Sequence, residues 1–162
     1  MPKPLPNFSR MLALIDEVFD TRQDPNQLQV DQKVIKQLEK IHPATLSEWA
    51  DDRGPGIWVL MIPTTKDIMN DFLVGKISEK DIVAKTKPGE KYSAIYLCSV
   101  TTLPEYRGKG QSKKLCLKAI DAICKDHPIE ALFVWPFTTG GEALAVSLAK
   151  TCNLPLHIYK AE

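Results

Sequence analysis

Arginine, lysine and two glycines crowd one short stretch of the chain, Arg107-Gly108-Lys109-Gly110, directly ahead of Gln111 and Ser112. These residue types at this spacing suit an anion. Gly108 and Gly110 remove side chains where a phosphate must come close to the backbone. Arg107 bonds a phosphate in bidentate fashion, and Lys109 adds a second positive charge to the same turn. Two familiar phosphate loops do not match. A Walker A loop needs G-x-x-x-x-G-K-[ST], yet Gly108-Lys109 runs into Gly110-Gln111. The dinucleotide fingerprint G-x-G-x-x-G fails because Lys113 stands where its third glycine belongs. What remains is [Q/R]-x-x-G-x-[G/A], met by Arg107 and Gly110 and ending in Ser112.

A turn of this kind needs a strand to deliver it and a helix to receive it, because free N–H groups and aligned peptide dipoles at a helix start favour negative charge. Both are predicted. An apolar strand runs from about Tyr92 to Thr101, and an amphipathic helix from about Gln111 to Lys125 presents Leu115, Ala119, Ile120, Ala122 and Ile123 on one face. Beyond it, a strand is expected over Ala131 to Trp135, a helix over Glu142 to Thr151 and a last strand over Leu156 to Tyr159. Upstream, Ile57 to Ile62 is a continuous apolar run between glycine and proline, the pattern of a strand buried on both faces. Thr64 or Thr65 caps a helix through Leu73, and Ser78 caps another through Val83.

The N-terminal third reads as helical. Phe8, Met11, Leu12, Ile15, Val18 and Phe19 repeat at helical spacing; Leu28, Val34, Ile35, Leu38 and Ile41 make a second stripe that stops at His42-Pro43. Asp24-Pro25-Asn26 separates the two. Thr45-Leu46-Ser47-Glu48 has capping-box form and predicts a short helical turn through Trp49, followed by a loop at Arg53-Gly54-Pro55-Gly56. The expectation is one α/β (α+β) domain over residues 1–162. Residues 1–55 are mainly helical, and residues 56–162 carry a mixed central sheet flanked by helices and the cofactor-binding part.

Length and composition agree with one such domain: 162 residues, 44% hydrophobic and 25% charged. Net charge is +1, from 21 basic and 20 acidic residues, which gives no electrostatic case for nucleic acid or a membrane surface as main partner. No apolar run has the length of a membrane span, and the proline-rich opening Met-Pro-Lys-Pro-Leu-Pro does not form a secretory h-region. Cys98, Cys116, Cys124 and Cys152 show no C-x-x-C spacing and no nearby histidine pair, so no metal site is expected. Cys116 and Cys124 fall in an apolar helical pattern and are expected to be buried. The composition reads as a reduced, cytoplasmic protein.

Pro104-Glu105-Tyr106-Arg107-Gly108-Lys109-Gly110, after an apolar strand and before an amphipathic helix, resembles the acetyl-CoA signature of the GNAT N-acetyltransferases. The resemblance spans about residues 92 to 160 and is most specific over Pro104 to Gly110. It implies that Arg107, Gly108, Lys109, Gly110, Gln111 and Ser112 hold the pyrophosphate, and that the main chain of Ser99, Val100 and Thr101 pairs with the pantetheine arm. It also implies a polar contact near the start of the next helix, with Thr139 the nearest equivalent; an N-cap role explains the threonines there equally well. The partner would be a small-molecule or peptide amine, attacking the thioester of acetyl-CoA directly, and the protein could form a homodimer.

The acid that protonates the leaving thiolate is, in many members, a tyrosine in a pattern like A-x-x-[LF]-Y. Ala143-Leu144-Ala145-Val146-Ser147 follows that frame but ends in serine, so Ser147 and Tyr96, on the cofactor strand, are the catalytic candidates. Ser147 also reads as an ordinary helix residue and Tyr96 as strand packing. Cys98 reads either as a thiol meeting the acyl group or as small core filler, and Glu105 as a base or a solvated acid. Tyr106 is expected to pack its ring beneath the loop. Glu48, Asp51 and Asp52 form an acidic cluster that either lines an acceptor cleft or is a solvated turn. His42 and His127, each before a proline, read as helix C-caps, and His157 has no catalytic partner at useful spacing. The alternative to an enzyme is a non-catalytic acyl-CoA-binding or regulatory module of the same fold. Less favoured are a protein-interaction domain with a ligand-free turn and, last, nucleic-acid binding.

Overall fold

The computed structural model describes residues 7, 10, 11, 13, 14, 32–136 and 138–160. Asn7, Arg10, Met11, Ala13 and Leu14 are helical, while the rest of the first predicted helix and the Asp24-Pro25-Asn26 break lie outside the described residues. Helix α1, Gln32–Ile41, ends where His42-Pro43 was expected to stop it, and Leu38 and Ile41 are its buried positions. A 3-10 turn, Pro43–Thr45, leads into the sheet.

Five strands form one sheet in sequence order: β1 Leu46–Asp51, β2 Gly54–Thr64, β3 Ala94–Thr102, β4 Ala131–Val134 and β5 Leu156–Ile158. The first three are antiparallel neighbours, and β4 and β5 run parallel to β3. This is the mixed α/β sheet that the sequence predicts.

Strand β1 is a correction. Thr45 to Trp49 does not make a helical turn, and Gly54 to Gly56 is not a loop but the start of β2. Exposed and half-buried positions alternate along β1, and Trp49 turns inward opposite Ile57. A tight connection joins the strands: the Arg53 amide donates to Asp51 Oδ1 at 2.9 Å, and Gly54 takes φ +114°. Across the hairpin the Trp58 indole donates to Glu48 at 2.7 Å. Cross-strand pairing outweighs the local capping-box propensity.

Helices α2 (Lys66–Leu73) and α3 (Glu79–Lys85) follow β2, α4 (Gln111–Asp126) follows β3 and α5 (Thr139–Cys152) follows β4. Thr65 caps α2, accepting from the Ile68 amide at 3.3 Å, and Ser78 with Asp81 forms the capping box of α3. The sheet has a core on each face. One buries Ile57, Val59, Ile95 and Leu97 under α4 and α5; the other buries Leu60, Ile62, Tyr96 and Phe133 under α1, α2 and α3. Cys116 is buried in the first core, and its thiol is pushed up to about 12 by that burial; Cys124, expected to be buried too, is exposed on the outer side of α4.

Candidate acyl-CoA site

β3 and β4 part company near the site. Their parallel pairing runs from Ala94 opposite Ala131 to Leu97 opposite Val134, and then stops. β3 continues to Thr102, paired there, among the described residues, with β2 alone. The break coincides with a bulge: Leu97 faces Met61 and Ser99 faces Leu60, so the register against β2 slips by one residue at Cys98. A bulge raises local twist and bends its strand, which separates β3 from a neighbour that keeps its own course. Among the described residues the result is an open stretch of strand edge, Ser99 to Thr101, whose main-chain donors and acceptors suit an extended ligand.

That edge leads straight to the glycine turn. Leu103 is 2% exposed and its amide donates to Gly56 O at 3.0 Å, which ties the end of β3 to the start of β2. A 3-10 turn, Pro104–Tyr106, follows. Arg107 Nε donates to Thr102 O at 2.9 Å, and the hydroxyls of Thr102 and Ser112 are 2.8 Å apart, so the turn closes on the strand it left.

Gly108 and Gly110 both take φ +75°, a left-handed conformation that L residues adopt at a cost, and a Cβ on either would meet nothing within 4 Å. Gly110 is the N-cap of α4. The Lys114 amide donates to Gly110 O at 3.1 Å, the first bond of the helix, so the amides of Gln111, Ser112 and Lys113 have no helical acceptor. Arg107 and Lys109 are exposed beside them. Among the described residues, buried Gln111 Oε1 has no hydrogen-bond partner. As an amide oxygen it takes only a hydrogen-bond donor. Free amides, positive charge and open space over two glycines together fit a nucleotide pyrophosphate.

Ser99, Val100 and Thr101 lie on the open edge of β3, and Arg107 to Ser112 form the turn and first residues of α4. Tyr96 is a correction. It is 0% exposed, packed against Phe72 (5.4 Å between ring centroids) and Phe133 (4.9 Å), and its hydroxyl donates to the buried carboxylate of Glu79. A phenol enclosed with its proton directed at Glu79 is not poised to meet a thiolate. Ser147 is half-buried on α5, whose buried positions are Ala145, Leu148 and Ala149. Thr139 is the exposed first residue of α5; the cap itself is Thr138, whose hydroxyl accepts from the Gly141 amide at 2.9 Å.

Glu105 is not a base. Arg10 grips its carboxylate with two bonds of 2.6 and 2.7 Å, and chiefly for that reason its pKa falls from 4.5 to about 2. Cys98 packs half-buried at the margin of the core under α1, α2 and α3. In the acidic cluster, the Tyr106 hydroxyl and the Arg53 amide hold Asp51 below its usual range, while Glu48 serves Trp58. His42 is buried, with Nε2 at 2.8 Å from Asp126 and Nδ1 accepting from the Ala44 amide. His127 caps α4, donating its amide to Ile123 O at 3.0 Å, and His157 is exposed. The features that sequence reasoning missed are the bulge at Cys98 and the hold on Glu105. Neither leaves a local signature, because each is made by residues far away in the chain.

This arrangement defines a class. An acetyltransferase (GNAT) domain model matches residues 7–141, more than half of the chain, and the chain belongs to that family. Its mixed five-stranded sheet and flanking helices are consistent with the family's fold, and its general chemistry is acyl transfer. Among curated proteins, none matches the chain. Among the described residues, no helix is long and apolar enough to cross a membrane, and no group of three or more His, Cys, Asp and Glu residues is placed to hold a metal.

Proposed function

We propose that the protein is a cytoplasmic N-acetyltransferase that uses acetyl-CoA to acetylate a primary amine of a small molecule or peptide by direct attack. The observation that carries this reading is the continuity of the site: the edge of β3 from Ser99 to Thr101, open among the described residues, runs into the glycine turn over the free amides of α4. When bound, acetyl-CoA supplies an activated thioester and a thiolate leaving group. The main chain of Ser99, Val100 and Thr101 holds the pantetheine arm in strand fashion. Arg107, Gly108, Lys109, Gly110, Gln111 and Ser112 hold the pyrophosphate through amides and charge. Thr139, at the start of α5, offers a further polar contact.

By resemblance to the A-x-x-[LF]-Y frame, Ser147 stands where many family members carry tyrosine, yet a serine hydroxyl is too weak an acid to protonate a leaving thiolate unaided. With Tyr96 enclosed in the core, turnover rests on positioning and on solvent for proton transfer. The same two facts favour a second reading, a non-catalytic acyl-CoA-binding module. Calorimetry tests the shared part: acetyl-CoA is expected to bind more tightly than pantetheine, and equal affinities would remove the turn as a phosphate site. Thiol release then separates the readings. The enzyme releases CoA faster when amines are added, and a broad amine panel without effect leaves only the binding module.

A further inference from the structure

Arg107 and Ser112 close the glycine turn on β3, and its entry is anchored as well. Two consecutive residues there, Glu105 and Tyr106, are held from outside. The Tyr106 ring stands edge-on to Trp49, with centroids 4.9 Å apart, in a slot that exists because residue 56 is glycine. A Cβ at Gly56 would lie 2.7 Å from the Tyr106 ring and 2.9 Å from that of Trp49. The Tyr106 hydroxyl donates to Asp51 Oδ2 at 2.5 Å and accepts from Asn7 Nδ2 at 3.1 Å. Asp51 also accepts from the Arg53 amide at 2.9 Å, and the Asn7 amide donates to Arg53 O at 3.1 Å, which closes a ring of hydrogen bonds. One helical turn beyond Asn7, Arg10 grips Glu105. A segment at the start of the chain and the tip of the first hairpin thus meet at the residue that precedes the turn.

We propose that Tyr106 is a positioning residue of the acyl-CoA site, setting where the amides at the start of α4 meet the pyrophosphate. The proposal rests on reading that turn as the phosphate site. Trp49 and Gly56 still seat the ring when the hydroxyl is removed, so Tyr106→Phe is expected to fold, with a lower Tm because the buried Asn7 side-chain amide loses its acceptor.

The test compares the full chain with Tyr106→Phe and Asp51→Asn, measuring affinity for acetyl-CoA and for S-acetylpantetheine, which lacks the pyrophosphate, together with Tm. Tyr106→Phe is expected to lose about five- to tenfold in acetyl-CoA affinity, the order of one hydrogen bond's alignment, with S-acetylpantetheine affinity little changed. Asp51→Asn keeps an acceptor oxygen and is expected to lose less. Unchanged acetyl-CoA affinity in Tyr106→Phe would overturn the proposal and leave the phosphate site standing. An equal loss for both ligands would mark Tyr106 as merely structural. Equal affinities in the parent protein would remove the phosphate site, and this proposal with it. Should Tyr106→Phe fail to fold, the role is overturned unless Arg10→Gln, at a 41% exposed side chain, shows the same selective loss through Glu105.

Discussion

Gly110 concentrates the demands of the site in one residue. It takes φ +75°, caps α4, and has open space where a side chain would be. Gly110→Asp would project a carboxylate toward the place read as the pyrophosphate's, setting like charge against like. Aspartate tolerates the left-handed region better than most residues, so the fold should survive. We expect acetyl-CoA affinity to fall at least about a hundredfold, roughly 2.7 kcal/mol, with Tm lower by only about 2–4 °C. Retained binding in the folded variant would take Gly110 out of the site. Tyr96 and Ser147 divide differently. Tyr96→Phe removes a donor from the buried carboxylate of Glu79 and should cost about 1–3 kcal/mol in urea unfolding, with turnover within about threefold of the parent. Ser147→Ala should lose at most about tenfold in turnover, on the order of 1.4 kcal/mol in the barrier. A thousandfold loss in either variant, with stability and acetyl-CoA affinity unchanged, would return that hydroxyl to the chemistry.

At the scale of elements, α4 is tied at both ends. Its N-terminus meets β3 through Ser112 and Thr102, and its C-terminus carries Asp126 and His127 into a joint with α1 and the approach to β3. The His127 ring lies 4.6 Å from that of Tyr92 and 5.8 Å from that of His42, and its Nδ1 accepts from the Tyr92 amide at 3.3 Å. Burial, and then the nearby His42, lower its pKa from 6.5, against a smaller opposing pull from Asp126. A histidine with a depressed folded pKa binds fewer protons folded than unfolded. Its contribution is therefore complete above 6.5 and is lost as pH falls through the folded value. Protonation also removes the acceptor of the Tyr92 amide. Tm should be lower at about pH 5.5 than at about pH 7.5, with faster hydrogen exchange at Tyr92, and His127→Gln should flatten the difference. An unchanged pH dependence in that variant would assign the effect elsewhere.

For the molecule as a whole, β3 is the shared member. It pairs with β2 and β4, contributes Ile95 and Leu97 to one core and Ala94 and Tyr96 to the other, and ends at the turn proposed to hold acyl-CoA. Ligand binding at its end should therefore register as global stability. Acetyl-CoA at about 100 times its Kd adds about 2.7 kcal/mol, which for a chain of this size raises Tm by about 5–10 °C. Thermal scanning would show it, with a smaller shift for pantetheine at the same concentration. A folded Gly110→Asp variant should show no shift, and one as large as the parent's would contradict the placement.

The sequence by itself determined the elements from β3 onward and the glycine turn. Those signals are local: an apolar strand run, two glycines and a helix of regular period, each confined to a window shorter than the element it marks. It also placed the helices capped by Thr65 and Ser78, whose hydrogen bonds span only a few residues. The stretch from Thr45 to Gly56 misled because a capping-box pattern and an alternating strand share the same residues. The deciding partner, β2, acts through pairing, although the Ser47, Trp49, Asp51 alternation before Arg53-Gly54 was there to be read. Tertiary structure alone decided the rest. Whether Tyr96 is open or enclosed depends on Phe72, Phe133 and Glu79; whether Glu105 is a base depends on Arg10; whether β3 has a free edge depends on where β4 stops. Residue type supplies a group's chemistry, but its proton affinity and its reach are set by neighbours that folding brings from elsewhere in the chain.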